Sequence, residues 1–274
     1  MTILDGKAYA QQIRQDLKNT IIHNKLTPSL CIINIGDDPA SKVYVNNKVK
    51  ACAEVGINCI VKHFDADVTE LEVLSFIETM NEDNNINGLM VQLPIPKHLN
   101  ERNIINSIKP EKDVDGLTDI NVGKLLHKDP TALTPCTPLG IISLLKFYNI
   151  KLSGKHCVVV GRSNIVGKPL AQLLINEDAT VTICHSKTEK LKDITQTADI
   201  IIVAIGQPEF LTSDYIKEGA IVVDVGINRV DGKLVGDVDF EDVKAKCSFI
   251  TPVPGGVGPM TVAALLCNVI HFND

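Results

Sequence analysis

The sequence predicts an α/β fold in two domains, each built on a parallel sheet, with a cleft between them. Three observations carry this. Runs of Val, Ile and Leu without polar alternation recur along the chain, such as LCIINI at 30–35 and HCVVV at 156–160, as strands buried on both faces require. Helical stretches separate these runs, which is the pattern of parallel crossover units. The series divides in two near residues 138–152, and 274 residues suit two domains better than one.

The elements follow in order. Residues 30–35 form a strand ending at Gly36, and 41–55 a helix with Val45, Val49 and Cys52 on one face. Residues 59–64 are a second strand. Thr69 caps a helix running to about Asn81, with Glu72 completing a capping box. Residues 86–93 are a third strand, stopped by Pro94 and Pro96. A helix at 101–108 leads to a loop at 110–118. Thr137 and Pro138 read as the N-cap and first residue of a helix reaching Tyr148. Beyond the Ser153-Gly154 turn come strands at 156–160, 180–184, 199–205 and 220–225, with a helix at 169–176. Residues 249–253 enter a loop rich in Pro and Gly, and a last helix spans 260–271.

Composition narrows the function. Lys and Arg number 27 against 33 Asp and Glu, a net charge of −6, so a surface that neutralises many nucleic-acid phosphates is not expected. Trp is absent and aromatic residues are 4%, which argues against base-stacking platforms. The eight cysteines contain no CxxC and mostly sit in or beside apolar runs, as buried thiols of a reducing compartment do. The histidines show neither HxxxH nor HExxH spacing, so no metal site is expected. The N-terminus MTILDGK lacks the apolar core of a signal peptide, and no apolar run is long enough to span a bilayer. A soluble, cytoplasmic chain without membrane contact is the expectation.

The strand at 156–160 runs into Gly161-Arg-Ser-Asn-Ile-Val-Gly-Lys-Pro169. A strand that ends in Gly and turns into a helix is where doubly wound sheets hold a pyrophosphate. Five residues separate the glycines and Pro169 follows Lys168, so this is not a Walker A loop, and Arg162-Ser163 replaces the middle of GxGxxG. The residues alone admit either a plain turn or a dinucleotide site. The next strand ends in His185-Ser186-Lys187-Thr188, with no carboxylate for a ribose 2′-hydroxyl but a hydroxyl and a cation suited to a 2′-phosphate. This favours NADP over NAD.

Tyr44 and Lys48 share one helix face at i, i+4, flanking the apolar stripe. A lysine in a partly dry cleft can exchange a proton near neutral pH, and a neighbouring tyrosine can orient it or stack on a flat substrate. Gln92, near the end of a buried strand, needs a polar partner. Asp113 and Asp115 lie in a turn without EF-hand spacing. They suit either local capping or acceptance of paired N–H donors from a heterocycle. Pro254-Gly255-Gly256 belongs to a loop that either lets a ligand approach the backbone or is an elaborate turn.

Tyr44-Val-Asn-Asn-Lys48, Val91-Gln-Leu-Pro-Ile-Pro96, Lys112-Asp-Val-Asp-Gly116, the segment 161–169 and Pro254-Gly-Gly-Val-Gly-Pro-Met-Thr261 occur in this order over nearly the whole chain. The combination resembles the bifunctional methylenetetrahydrofolate dehydrogenase/cyclohydrolase family. The resemblance implies a catalytic domain over 1–138, completed by a C-terminal helix at 260–274, and a Rossmann-like NADP domain over 139–259. It implies a homodimer and a folate substrate. It also implies NADP-dependent oxidation of 5,10-methylenetetrahydrofolate to the methenyl form, then hydrolysis to 10-formyltetrahydrofolate. Lys48 would activate water, Gln92 would hold Lys48, Tyr44 would stack on the folate and Asp115 would accept from the pterin edge. Pro254, Gly255 and Gly256 would line the folate site. Gly161, Arg162 and Ser163 would dock NADP, with Ser186 near its 2′-phosphate and Ile227 near the nicotinamide half. A monofunctional dehydrogenase, or another two-domain NADP dehydrogenase of the shikimate type, would share the glycine turn.

Overall fold

The computed structural model describes residues 1–270. Its strands are β1 (Thr2–Ile3), β2 (Ser29–Ile35), β3 (Asn58–Phe64), β4 (Gly88–Val91), β5 (His156–Val160), β6 (Thr180–Cys184), β7 (Ile200–Val203), β8 (Ile221–Asp224), β9 (Asn228–Val230), β10 (Lys233–Val235) and β11 (Phe249–Ile250). Its helices are α1 (Gly6–His23), α2 (Pro39–Val55), α3 (Glu70–Glu82), α4 (Glu101–Asn106), α5 (Asp119–Leu126), α6 (Cys136–Phe147), α7 (Gly167–Asn176), α8 (Leu191–Thr195), α9 (Phe240–Val243) and α10 (Val257–Val269). The chain forms two compact units, Gln11–Cys136 with the chain from Val262, and Met1–Ala10 with Thr137–Thr261.

The first unit holds a parallel sheet in the order β3-β2-β4. One face carries Cys31, Ile33, Ile35, Leu89 and Val91, which pack with Val73 and Ile77 of α3 and Ile104 of α4. Side chains alternate across a strand, so Ile32, Asn34, Met90 and Gln92 point to the opposite face, where α2 lies against Met90 and Gln92 through Lys48. Helix α2 begins where the Asp38 carboxylate accepts the Ser41 N–H at 2.7 Å, with Pro39 in the first turn. It ends at Gly56, whose φ of 94° suits the left-handed closing turn. The expected capping box is present: the Thr69 hydroxyl accepts the Glu72 N–H, and the Glu72 carboxylate accepts the Thr69 N–H.

The second unit holds a six-stranded parallel sheet in the order β1-β11-β8-β7-β5-β6. The order reverses between β5 and β7, and such a switch point is where open α/β sheets bind ligands. Val158, Val160, Ile201, Val203, Val222 and Ile250 fill its core. This is the Rossmann-like parallel sheet that the sequence predicts.

Several expectations shift. The structure joins Met1–Ala10 to the second unit rather than the first, because β1 extends the large sheet: the Thr2 N–H donates to Ser248 O at 2.7 Å and the Leu4 N–H to Ile250 O at 2.8 Å. Helices α1 and α5 and the β9–β10 hairpin have no counterpart in the sequence reading. Thr137 is not an N-cap: α6 already includes Cys136, and the Thr137 hydroxyl instead meets the Thr261 hydroxyl at 3.0 Å. The last helix starts at Val257, earlier than expected, and the expected end at His271, with the expected helical span to residue 274, lies outside the described residues. No helix among the described residues is long and apolar enough to cross a membrane.

Candidate active site

In the first unit, Lys48 is part of the buried stripe of α2, together with Ser41, Val45, Ala51, Cys52 and Val55, rather than beside it. A lysine is kept in such a position only when its head finds a partner. Its Nζ donates to Gln92 Oε1 at 2.9 Å and lies 3.5 Å from Met90 Sδ. Gln92 is itself oriented, because its Nε2 donates to Leu93 O at 2.8 Å and leaves Oε1 to face the ammonium. Tyr44, one turn before Lys48, is exposed.

The two acids of the Lys112–Gly116 loop divide their work. Asp113 is buried and accepts N–H groups of Leu117, Thr118 and the Asn121 side chain at 3.2, 2.8 and 2.9 Å. Burial pushes its carboxyl above the ordinary range against these donors. It is a capping residue. Asp115 is half-buried. Its neighbour Val114 is pinned, since Val114 O accepts from the Asn268 amide at 2.8 Å and from the Cys136 thiol at 3.3 Å. Burial raises the Cys136 thiol well above its ordinary value, the Asp115 charge adds to this and Lys48 opposes it. The Cys136 thiol thus senses both the Lys48 and the Asp115 charge. The sequence reading missed it, since a cysteine without CxxC spacing or a paired histidine carries no signal.

In the second unit, Gly161 closes β5 at a φ of 130°. A β-carbon there would collide with the Ala204 carbonyl after β7, so the turns after β5 and β7 stand against each other at the switch point. The Gly161 N–H donates to Cys184 O at 2.9 Å, which brings the end of β6 and the Ser186 loop to the same turn. Ser163 Oγ accepts the N–H groups of Val166 and Gly167 at 3.2 and 3.3 Å and shapes the entry to α7. Arg162, Ser163 and Ser186 are exposed, as is Ile227 after β8. The Gly255 carbonyl is engaged by the Lys7 N–H at 2.8 Å, and Gly256 packs closely on Gly6, so this loop also anchors α1. Pro254 is exposed beside them.

A doubly wound sheet with a glycine turn at its switch point, in a chain whose other α/β unit has a three-stranded sheet and a buried, partnered lysine, defines a two-domain dinucleotide-dependent enzyme. Residues 4–115 match the family description "Tetrahydrofolate dehydrogenase/cyclohydrolase, catalytic domain", and residues 135–274 match "Tetrahydrofolate dehydrogenase/cyclohydrolase, NAD(P)-binding domain". The chain belongs to the tetrahydrofolate dehydrogenase/cyclohydrolase family. It is 54% identical over 273 residues to the bifunctional protein FolD of Bacillus subtilis, covering 98% of this chain and 96% of that one. Among solved structures, the bifunctional FolD dehydrogenase/cyclohydrolase of Campylobacter jejuni superposes with a TM-score of 0.97 at 50% identity, covering 99% of this chain and 98% of that one. The enzyme of Trypanosoma brucei, solved with NADP and an inhibitor, gives 0.94 at 38% identity, covering 98% and 96%.

Proposed function

We propose that this chain is a bifunctional enzyme of tetrahydrofolate interconversion with Lys48 at its chemical centre. It oxidises 5,10-methylenetetrahydrofolate to 5,10-methenyltetrahydrofolate with NADP⁺ and hydrolyses the product to 10-formyltetrahydrofolate. The observation that carries the hydrolytic role is the buried Lys48 nitrogen held 2.9 Å from Gln92 Oε1. When bound, NADP⁺ supplies the hydride acceptor. The residues present suit it: the Gly161 turn leaves no room for a β-carbon, and residues 185–188 after β6 offer Ser186 and Lys187 but no carboxylate to repel a 2′-phosphate. Gly161, Arg162 and Ser163 receive the pyrophosphate side, Ser186 the 2′-phosphate and Ile227 the nicotinamide half.

Lys48, acting in this step as the neutral amine, takes a proton from the water as its oxygen bonds to the methenyl carbon, and the ammonium so formed returns that proton to the ring nitrogen as its bond to that carbon breaks. Gln92 Oε1 accepts one Lys48 N–H and so fixes the nitrogen, leaving its proton-accepting side toward the substrate. Tyr44 stacks on the pterin, Asp115 accepts its paired N–H donors, and Pro254, Gly255 and Gly256 line the folate. One assay tests the whole reading. Methylenetetrahydrofolate is supplied with NADP⁺ or NAD⁺, and reduced cofactor, methenyl and formyl products are followed separately. Sequential methenyl then formyl product, faster with NADP⁺, is expected; reduced cofactor without formyl product leaves only the dehydrogenase.

We also infer that the enzyme is a cytoplasmic homodimer. Strand β3 is an edge of its sheet, and its outer side pairs with no strand among the described residues, while Ile60 and Val61 remain about two-fifths exposed at 42% and 41%. An apolar edge of this kind is covered in stable proteins. Sedimentation equilibrium should give twice the chain mass of 29.8 kDa; a single-chain mass at micromolar concentration rejects the dimer.

A further inference from the structure

Two carboxylates that take no part in these steps lie at the carboxyl ends of β7 and β8. Asp224 and Asp237 are buried, at 3% and 0% exposure. Asp224 Oδ1 accepts the N–H groups of Gly226 and Asp237, both at 2.9 Å, and its Oδ2 accepts the Val238 N–H at 3.0 Å. Asp237 Oδ2 accepts the N–H groups of Ile205 and Gly206 at 2.7 and 2.9 Å, and its Oδ1 accepts the Asn228 amide at 2.9 Å. The donors come from the loop after β7, the loop after β8, the first residue of β9 and the segment after β10. The acids fill the space that β-carbons at Gly226 and Gly236 would need. Burial, with the neighbouring Asp237 charge adding to it, pushes the Asp224 carboxyl up to about 6 against its three donors. Burying two adjacent acids is costly, and a loop needing only closure could be tied by neutral groups.

We propose that Asp237, seated on Asp224, is a positioning residue for the cofactor, holding the β7 and β8 loops in the shape that receives the nicotinamide half of NADP. This rests on the NADP site proposed above. The connection is physical on both sides of β7. Ile205 and Gly206, gripped by Asp237, directly follow Ala204, whose carbonyl abuts Gly161 in the turn after β5. Gly226, gripped by Asp224, directly precedes Ile227. The carboxylate pair therefore sets the surfaces that flank the switch point before any cofactor arrives, and preorganisation of this kind lowers the ordering cost of binding.

Asp237→Asn tests the proposal. It keeps the shape but places an amide NH₂ against either the Ile205 and Gly206 N–H groups or the Asn228 amide. Fluorescence titration with NADPH, dehydrogenase kinetics and the cofactor-free hydrolysis of methenyltetrahydrofolate are measured on the full chain. The expected result is a Kd for NADPH and a KM for NADP⁺ raised by about 10-fold or more, kcat at saturating NADP⁺ within about 3-fold, and unchanged hydrolysis. Unchanged Kd and KM, or an equal fall of both activities, overturns the proposal. Should the variant not fold, Asn228→Ala decides: a Kd raised by about 3-fold with hydrolysis intact supports the role, and an unchanged Kd rejects it. Wild-type protein that fails to bind NADPH would instead overturn the cofactor site itself.

Discussion

Replacing Lys48 by Met is expected to abolish hydrolysis of methenyltetrahydrofolate while leaving the NADP site intact. The methionine side chain fills most of the volume beside Met90 but has no proton to give or take, and it leaves Gln92 Oε1 without its donor. Loss of a positioned general acid or base typically costs about 10²- to 10⁴-fold, so the cyclohydrolase rate should fall by at least about 100-fold. The cofactor turn belongs to the other compact unit, so the Kd for NADPH should stay within about 3-fold of wild type. Stopped-flow loss of methenyl absorbance and NADPH titration on the same preparation check this. A cyclohydrolase rate close to wild type removes Lys48 from the chemistry, whatever its burial.

The complementary result is expected at Gly161. An alanine there must hold a φ of 130°, where L side chains are strained, and its β-carbon must displace the Ala204 carbonyl. The backbone strain alone is of the order of 1–3 kcal/mol, and moving Ala204 disturbs the turn after β7 as well. Affinity for NADPH should weaken by about 100-fold, equivalent to about 2.7 kcal/mol, and dehydrogenase activity at fixed NADP⁺ should fall with it. Hydrolysis should persist, because Lys48, Gln92 and Asp115 lie in the first unit. Dehydrogenase and cyclohydrolase rates compared side by side give the answer: a normal KM for NADP⁺ excludes the turn as the docking site, and loss of both rates together points to misfolding.

The two predictions separate because Lys48 and Gly161 lie in different compact units, and the elements that carry them were legible in the sequence to different degrees. Strands β2 and β5 could be read to within a residue or so, since a buried parallel strand must be a continuous apolar run, and the edge strand β6 (TVTIC) could be read from its β-branched residues. The Thr69–Glu72 capping box was also local and came through intact. Helix α1 carried a signal that the sequence reading missed. Ala10, Ile13, Leu17 and Ile21 do recur at helical spacing, but the start of the helix is secured by contacts with Gly255 and Gly256 far along the chain. The β9–β10 hairpin did carry a signal, Asp231-Gly232 at its tip, a pair suited to tight two-residue turns, but three-residue strands give no periodicity to support it.

For the site, the sequence by itself determined which side chains are present: a lysine one helical turn from a tyrosine, an amide at the end of a buried strand, a glycine turn without a following acid, and the motif order that marks the family. Residue type and local spacing suffice for these, because they depend on backbone geometry within a few positions. Tertiary structure alone decided that Lys48 is inside the α2 stripe and faces Gln92, that Asp113 caps while Asp115 is left half-buried, and that Asp224 and Asp237 form one clasp. Each of those facts depends on groups distant in sequence meeting within hydrogen-bond range, and burial and partner choice arise only when the sheet and helices pack.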